Sequence, residues 1–391
     1  MTTPKTTGYV MLCAGGTGGH IFPAQALAQE LRRRGVPIGL ITDRRGAAYA
    51  TVFGAANISV IAARNPSGGL RAKLAAAFTL AWGTLQSLLI LVRNRPAIIV
   101  GFGGYPALPG LLAAVILRIP TVIHEQNAVL GRVNRLLAKY VHAIAASVDG
   151  LSGLGGADPA KITVTGNPVR AEIASCHAIP YTAPTGDDAI NIVVFGGSQG
   201  AQIFADMVPA ALASLPLAVQ RRVRILQQCR EENLAAVKEQ YARTAIAAKL
   251  HSFIRDMPAA LAGADLVIAR SGATTISELT VAGRPSILVP YPHHADQQQL
   301  ENARQLVQAG AAWLLEESTM TPAALAKLLQ KLFRHPEQLE AAAAAARMLG
   351  RPNAAEALAD MVMRRVPADA RPDMLCPDGD PAGNVMERAV I

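Results

Sequence analysis

The sequence predicts an α/β protein of two parallel-sheet domains, and three observations carry that expectation. Short apolar, β-branched runs alternate with helical stretches, the pattern of βαβ units. The pattern restarts near residue 190. Each half opens with a strand that runs straight into a glycine-rich loop and then a helix.

In the first half, Tyr9–Ala14 reads as a strand, followed by glycines and a helix from Pro23 to Arg34. Ile38–Thr42, Ala97–Gly101 and Thr121–His124 read as further strands. The second half supplies Asn191–Phe195, Val223–Gln227, Leu266–Ala269 and Ile287–Val289, then an Ala-rich helix at Gln338–Met348. Between them Pro168, Pro180, Pro184 and Gly186 interrupt the periodicity. Residues 1–170 are therefore expected as one domain and 171–366 as the second. Beyond Val366 the chain turns rich in Pro, Asp and Gly, and residues 367–391 are expected to be a disordered tail.

Composition narrows the classes. With 51% hydrophobic and 17% charged residues, the chain can bury a sizeable core, which excludes a wholly disordered or collagen-like protein. The four cysteines form no C-x-x-C, so a disulfide framework or structural zinc site is disfavoured and a reducing compartment fits. The polar start, Met1–Gly8, has no signal-peptide core and points to a cytoplasmic protein. The net charge of +9 is unevenly placed: residues 1–170 carry 17 basic and five acidic side chains. That one-sided field implies an anionic partner for the first half.

Leu74–Val92 is 19 residues without a charge, between Arg71 and Lys73 on one side and Arg93 and Arg95 on the other. Three readings compete: a membrane span, a buried core helix, and a helix with one membrane-facing side. The polar residues within it and the strands on both sides argue against a span. Phe78 and Trp82 with basic flanks suit the last reading.

Chemistry concentrates in loops after strands. The first is Gly15-Gly16-Thr17-Gly18-Gly19-His20, the second Gly196-Gly197-Ser198-Gln199-Gly200-Ala201, the third Gly101–Gly110 with Gly103, Gly104 and Tyr105. Glycines admit close ligand approach, and a following helix start offers free N–H groups to phosphate. No Walker Gly-Lys-Ser/Thr follows, and no acidic residue stands about 20 positions on at a strand end, as a strict dinucleotide fingerprint requires. A nucleotide or pyrophosphate is the ligand class expected.

His124-Glu125-Gln126-Asn127 closes an apolar strand where ligand crevices form. Arg170, after Asn167-Pro168-Val169, suits a phosphate or carboxylate. In Arg270–Glu278, hydroxyl residues at a helix start suit an anion, while Glu278 suits sugar hydroxyls. Pro290–Asn302 is dense in amides. Adjacent His293 and His294 lack metal-ligand spacing, so neither metal nor cofactor is expected, and no Gly-x-Ser-x-Gly elbow is present.

Taken in order, GGTGGH, GFGGY, HEQN, GNPVR, GGSQGA, RSGATTISE and PYP…QQ…NA closely resemble the MurG-type glycosyltransferases of peptidoglycan synthesis, from about Val10 to Leu358. The resemblance implies a GT-B fold: two Rossmann-like domains with parallel sheets facing across a cleft, the last helix returning to the first domain. It implies inverting transfer of GlcNAc from UDP-GlcNAc to the C4 hydroxyl of MurNAc in undecaprenyl-linked lipid I, giving lipid II. It implies donor contacts at Thr17, Gly18, Gly19, Asn127, Arg170, Ser198, the backbone of Ile254, Ala273, Thr274, Thr275, Ile276, Ser277, Glu278 and Gln299. Glu278 would bind the ribose, and the Gly15–Gly16 and Gly103–Tyr105 loops would face acceptor and pyrophosphate. One departure is Gln298-Gln299 where many relatives carry His-Gln.

His20 is the candidate general base, because an imidazole changes charge near neutral pH, and Glu125 is its competitor. The basic first half, with Phe78, Trp82, Arg71 and Lys73, fits an anionic membrane surface. The expected location is peripheral, on the cytoplasmic face of the bacterial inner membrane. Other cell-wall synthesis and division proteins are expected partners, with roles in cell shape and the cell cycle; nucleic acid is not. A UDP-sugar 2-epimerase of the same fold and a non-catalytic nucleotide-sugar binder are the alternatives.

Overall fold

A computed structural model describes residues 7–16, 18–48, 53–55, 57–65, 69–197, 200–293, 297–367 and 370. Thirteen strands form two wholly parallel sheets among these residues. The first contains β1 (Thr7–Cys13), β2 (Ile38–Thr42), β3 (Asn57–Val60), β4 (Pro96–Gly101), β5 (Thr121–Glu125), β6 (Ala143–Ala146) and β7 (Ile162–Val164), in the order β3-β2-β1-β4-β5-β6-β7. The second contains β8 (Ile190–Phe195), β9 (Val223–Gln228), β10 (Ala247–His251), β11 (Leu266–Ala269), β12 (Ser286–Leu288) and β13 (Ala312–Leu314), ordered β10-β9-β8-β11-β12-β13.

The strand order reverses direction beside β1 and again beside β8. At such a switch point the loops leaving neighbouring strands diverge and open a crevice. The three glycine loops leave β1, β8 and β4 there. Helices cover both faces, so the central strands are buried throughout; β2, β4, β5 and β6 have no exposed residue. That burial is why they read as continuous apolar runs.

The chain crosses between domains twice. It leaves the first near Arg170, and the helix Ala354–Met363 returns to pack against the helix Gly18–Arg33. Leu358, Met361, Val362, Met363, Val366 and Ala370 are buried in the same cluster as Leu12, Leu27 and Val100. Of the expected tail, Ala370 is packed; residues 368, 369 and 371–391 lie outside the described residues.

Two readings of the helices change. The first helix starts at Gly18, inside the glycine loop, rather than at Pro23. Pro23 is the sixth residue of that helix, so its ring removes the N–H that would have paired with the Gly19 carbonyl. The apolar segment forms the helix Leu70–Arg93, and it is not a buried core helix. Leu74, Phe78, Trp82, Leu85, Leu89 and Val92 recur every three or four residues and are all exposed, Phe78 by 76%. The opposite side is docked: Ala62 N–H donates to Gln86 Oε1 at 2.9 Å, and Ser87 and Leu91 are fully buried. At Gly83 a Cβ would stand 2.0 Å from the Ala62 carbonyl oxygen, so only glycine permits this approach.

Candidate active site

A cleft of about 600 Å³ lies between the domains, within the usual range for ligand sites. Gly18, Gly19 and His20 line it from the first domain; Gly196, Gly197 and Gly200 face them from the second. Gln126, Asn127, Arg170, Ile254, Ala273, Thr274, Thr275, Glu278 and Gln299 complete the wall together with Gln298. Thr17 and Ser198 lie outside the described residues.

The helix Ala273–Ala282 begins at the cleft with Gly272 as an uncapped N-cap, so its first N–H groups face the opening. Thr274 reaches across and its hydroxyl donates to the Gly19 carbonyl at 3.5 Å. That carbonyl is one turn before Pro23, which has no N–H to give it, so it is free to accept from the other domain.

Glu278 sits on the second turn, 6% exposed. Burial pushes its carboxyl above the ordinary value, against the pull of the Arg170 guanidinium, whose Nη2 donates to Glu278 Oε1 at 3.2 Å. Arg170 also lies 5.0 Å from the Phe22 ring centroid, and its buried Nε has no hydrogen-bond partner. Beyond that one pair, the Glu278 carboxyl oxygens still have lone pairs for hydroxyl donors.

Asn127 is held from the second domain. Asn302, 4% exposed, donates to Asn127 Oδ1 at 3.2 Å and to the Ser271 carbonyl at 3.1 Å, and accepts from Ala128 N–H at 3.3 Å. Gln299 Oε1 accepts from Tyr291 N–H at 2.9 Å, and Arg270 Nη1 donates to the Val289 and Pro290 carbonyls at 3.1 and 3.0 Å, which shapes the loop after β12.

Several expected residues have other positions. Glu125 is 2% exposed and does not line the cleft. Its Oε1 accepts from the backbone and side-chain N–H of Asn127, both at 3.1 Å. Its Oε2 accepts from Gly131 N–H at 2.8 Å and Asn134 Nδ2 at 2.9 Å. Three of these bonds come from its own loop and the fourth from Asn134 in the helix Arg132–Leu137, so Glu125 ties that loop to the helix and is not placed as a base. Ile276 packs into the core of the second domain, and Ser277 accepts from Asn167 Nδ2 at 3.0 Å. Gly15, Gly16, Gly103, Gly104 and Tyr105 stand outside the lining, Tyr105 against the apolar core.

Two residues with defined work escaped the sequence reading. Asp43 follows β2 directly, so an acidic residue does stand at that strand end. Its Oδ1 accepts from Gly16 N–H at 3.1 Å and Gly46 N–H at 2.9 Å, bracing the glycine loop from behind. Gln228, at the end of β9, accepts from Gly196 N–H at 3.1 Å and braces the second loop. The strand-end position was the available signal for both.

Known proteins bear on this geometry. Residues 10–146 match the glycosyltransferase family 28 N-terminal domain and residues 191–358 the family 28 C-terminal domain. The chain is 49% identical over 371 residues to the UDP-N-acetylglucosamine–N-acetylmuramyl-(pentapeptide) pyrophosphoryl-undecaprenol N-acetylglucosamine transferase of Paramagnetospirillum magneticum, covering 95% of this chain and 100% of that one. Against the protein of the same name from Rhodospirillum centenum it is 48% identical over 354 residues, covering 90% and 93%. It is similar to the solved structure of Acinetobacter baumannii MurG, with a TM-score of 0.73 and 30% identity over 91% of this chain and 99% of that one. A UDP-N-acetylglucosamine 2-epimerase superposes with a TM-score of 0.66 at 12% identity, covering 92% and 96%, a likeness of fold alone.

Proposed function

The chain belongs to glycosyltransferase family 28, and on that footing we propose that it moves GlcNAc from UDP-GlcNAc to MurNAc of the undecaprenyl-pyrophosphoryl pentapeptide acceptor. One observation carries the reading. The His20 loop of the first domain and the Ala273 helix start of the second converge on one cleft, joined through Thr274 and Gly19. That brings an imidazole ring and an uncapped helix start, suited to a diphosphate, to opposite sides of the same space.

The C4 hydroxyl of MurNAc attacks the anomeric carbon of GlcNAc. The new C–O bond forms as the bond to the diphosphate breaks, inverting the centre, and His20 takes the hydroxyl proton. The departing UDP gains charge, which glycine-loop N–H groups, the Ala273 helix start and Arg170 stabilise. Glu278 accepts from the ribose hydroxyls, with Thr275 and Gln299 nearby on the wall. Incubation with labelled UDP-GlcNAc and a lipid I analogue tests this. Disaccharide-lipid supports it; UDP and N-acetylmannosamine would mark an epimerase, and binding without product a sensor.

The exposed stripe on Leu70–Arg93, with exposed Arg71, Lys73 and Arg93, fits a peripheral seat on an anionic membrane. The helix is also long and apolar enough to cross one, but its docked side supports the surface reading. Arg95 has another engagement, donating to the Leu117 carbonyl at 3.1 Å. The same proposal includes a cytoplasmic-face location and partners among other cell-wall synthesis and division proteins.

A further inference from the structure

His20 Nδ1 lies 3.2 Å from Gln126 Oε1. The orientation of that amide is dictated by its other end. Gln126 Nε2 lies 3.0 Å from the Phe102 carbonyl oxygen and 3.2 Å from the His124 carbonyl oxygen. Carbonyl oxygens only accept, so the amide –NH₂ must face them and the amide oxygen must face His20. That oxygen also only accepts, so the His20 proton sits on Nδ1. A neutral imidazole has one N–H, which leaves the lone pair on Nε2.

A second ring locks the same arrangement. His124 Nε2 lies 3.1 Å from the Gly166 carbonyl oxygen, which places the His124 proton there. Its Nδ1 is then a lone pair 3.1 Å from Gln126 Nε2, whose two N–H groups are divided among it and the Phe102 and His124 carbonyls. His124 is fully buried, and burial holds its imidazole down at about 4, so it stays neutral around pH 7 and keeps accepting from Gln126. The Nε2 edge of His20 lies beside Gly104. A Cβ there would stand 3.2 Å from Nε2 and 3.0 Å from Cδ2, and Gly104 has a φ of +70°. The glycine leaves space at the edge that carries the lone pair.

We propose that Gln126, backed by His124, is a positioning residue that holds His20 as the Nδ1–H tautomer and presents Nε2 to the attacking sugar hydroxyl. The proposal rests on reading His20 as the general base. As the sugar oxygen bonds to the anomeric carbon, its proton passes to Nε2, and the electron pair of the broken bond leaves with UDP. The resulting imidazolium keeps its Nδ1–H on Gln126.

The test uses the full chain with ¹⁵N-labelled histidine, assigning His20 through His20→Ala. In long-range ¹H–¹⁵N spectra, at a pH where the ring is neutral, His20 should show a protonated Nδ1 and an unprotonated Nε2. In Gln126→Met the two tautomers should mix. Its kcat with a soluble acceptor should fall about 10-fold or more, below the ~10²–10⁴-fold of losing a general base outright. KM for UDP-GlcNAc should stay within about threefold, since donor contacts are untouched. A wild-type spectrum with the proton on Nε2 overturns the proposal without any variant. So does Gln126→Met with both tautomer and kcat unchanged. Full turnover by His20→Ala would instead sink the base reading, while the spectra still report whether Gln126 sets the ring.

Discussion

His124 shows how burial converts a side chain of ordinary chemistry into a fixed acceptor. It is fully buried, and its folded-state value of about 4 lies below the ~6.5 of a free imidazole. The unfolded chain therefore binds a proton between those values that the folded chain does not. Stability from this group is fully present above about pH 6.5 and is lost as pH falls towards 4, on the order of 3 kcal/mol in all. Urea unfolding at pH 7 and pH 5 should show the wild type weakening, and His124→Gln should flatten that slope. A parallel slope in the variant would assign the loss elsewhere. Glu278 has the opposite environment, a buried carboxyl balanced by Arg170. Glu278→Ala should raise KM for UDP-GlcNAc by about 10- to 100-fold, the worth of hydrogen bonds to a charged group. Unchanged donor affinity by calorimetry would remove it from the donor site. At this scale the sequence was partly legible. Glycines, hydroxyls and Glu278 stand in runs whose local order signals a ligand loop. Gln126 and Asp43 act through partners 106 and 27 positions away, and local order carries no trace of such pairs.

Among the elements, the helix Leu70–Arg93 has the most asymmetric surroundings. One side is sealed to the domain by Gly83, Gln86 and Ser87, and the other presents six large apolar side chains to solvent. Replacing Phe78 and Trp82 together with Ser should weaken binding to anionic vesicles about 10-fold or more, from the apolar area no longer buried. Turnover of a soluble acceptor should persist. Raising salt should weaken wild-type binding, because exposed Arg71, Lys73 and Arg93 are screened. Equal binding to neutral vesicles at every salt concentration would contradict the surface reading. Composition could not separate buried from uncovered here, since an apolar run looks the same in both. Central strands were legible as apolar runs, but β3, β6, β10 and β13 were not. Asn57–Val60 and Ala247–His251 are outer strands with mostly exposed or half-exposed residues, β6 is alanine-rich, and β13 has only three residues. Pairing with a neighbouring strand, rather than their own pattern, makes them strands.

For the molecule as a whole, the restart of the pattern near residue 190 foretold two sheets, because each sheet needs its own central strand and loop. How the domains meet was not written locally. Asn302 joins the second domain to the Asn127 loop, and Arg351 pairs with Asp149 at 3.0 Å. The C-terminal helix completes the first domain's core, and Met361 is fully buried there. Met361→Ala should therefore destabilise the protein by about 2–5 kcal/mol, and the first domain should lose cooperativity with it. Loss confined to hydrogen-exchange protection of the second domain would contradict that packing.

That returning helix also sets a timetable for synthesis. Domains generally fold as the ribosome releases them, the N-terminal one first. Here the first sheet is translated by Val164, yet its hydrophobic cluster lacks Leu358, Met361 and Val362 until nearly the whole chain has been made. The nascent first domain thus waits with an open apolar seam through the translation of the second. Ribosome-bound chains stopped before residue 354 should recruit chaperones there, and chains that include the helix should release them.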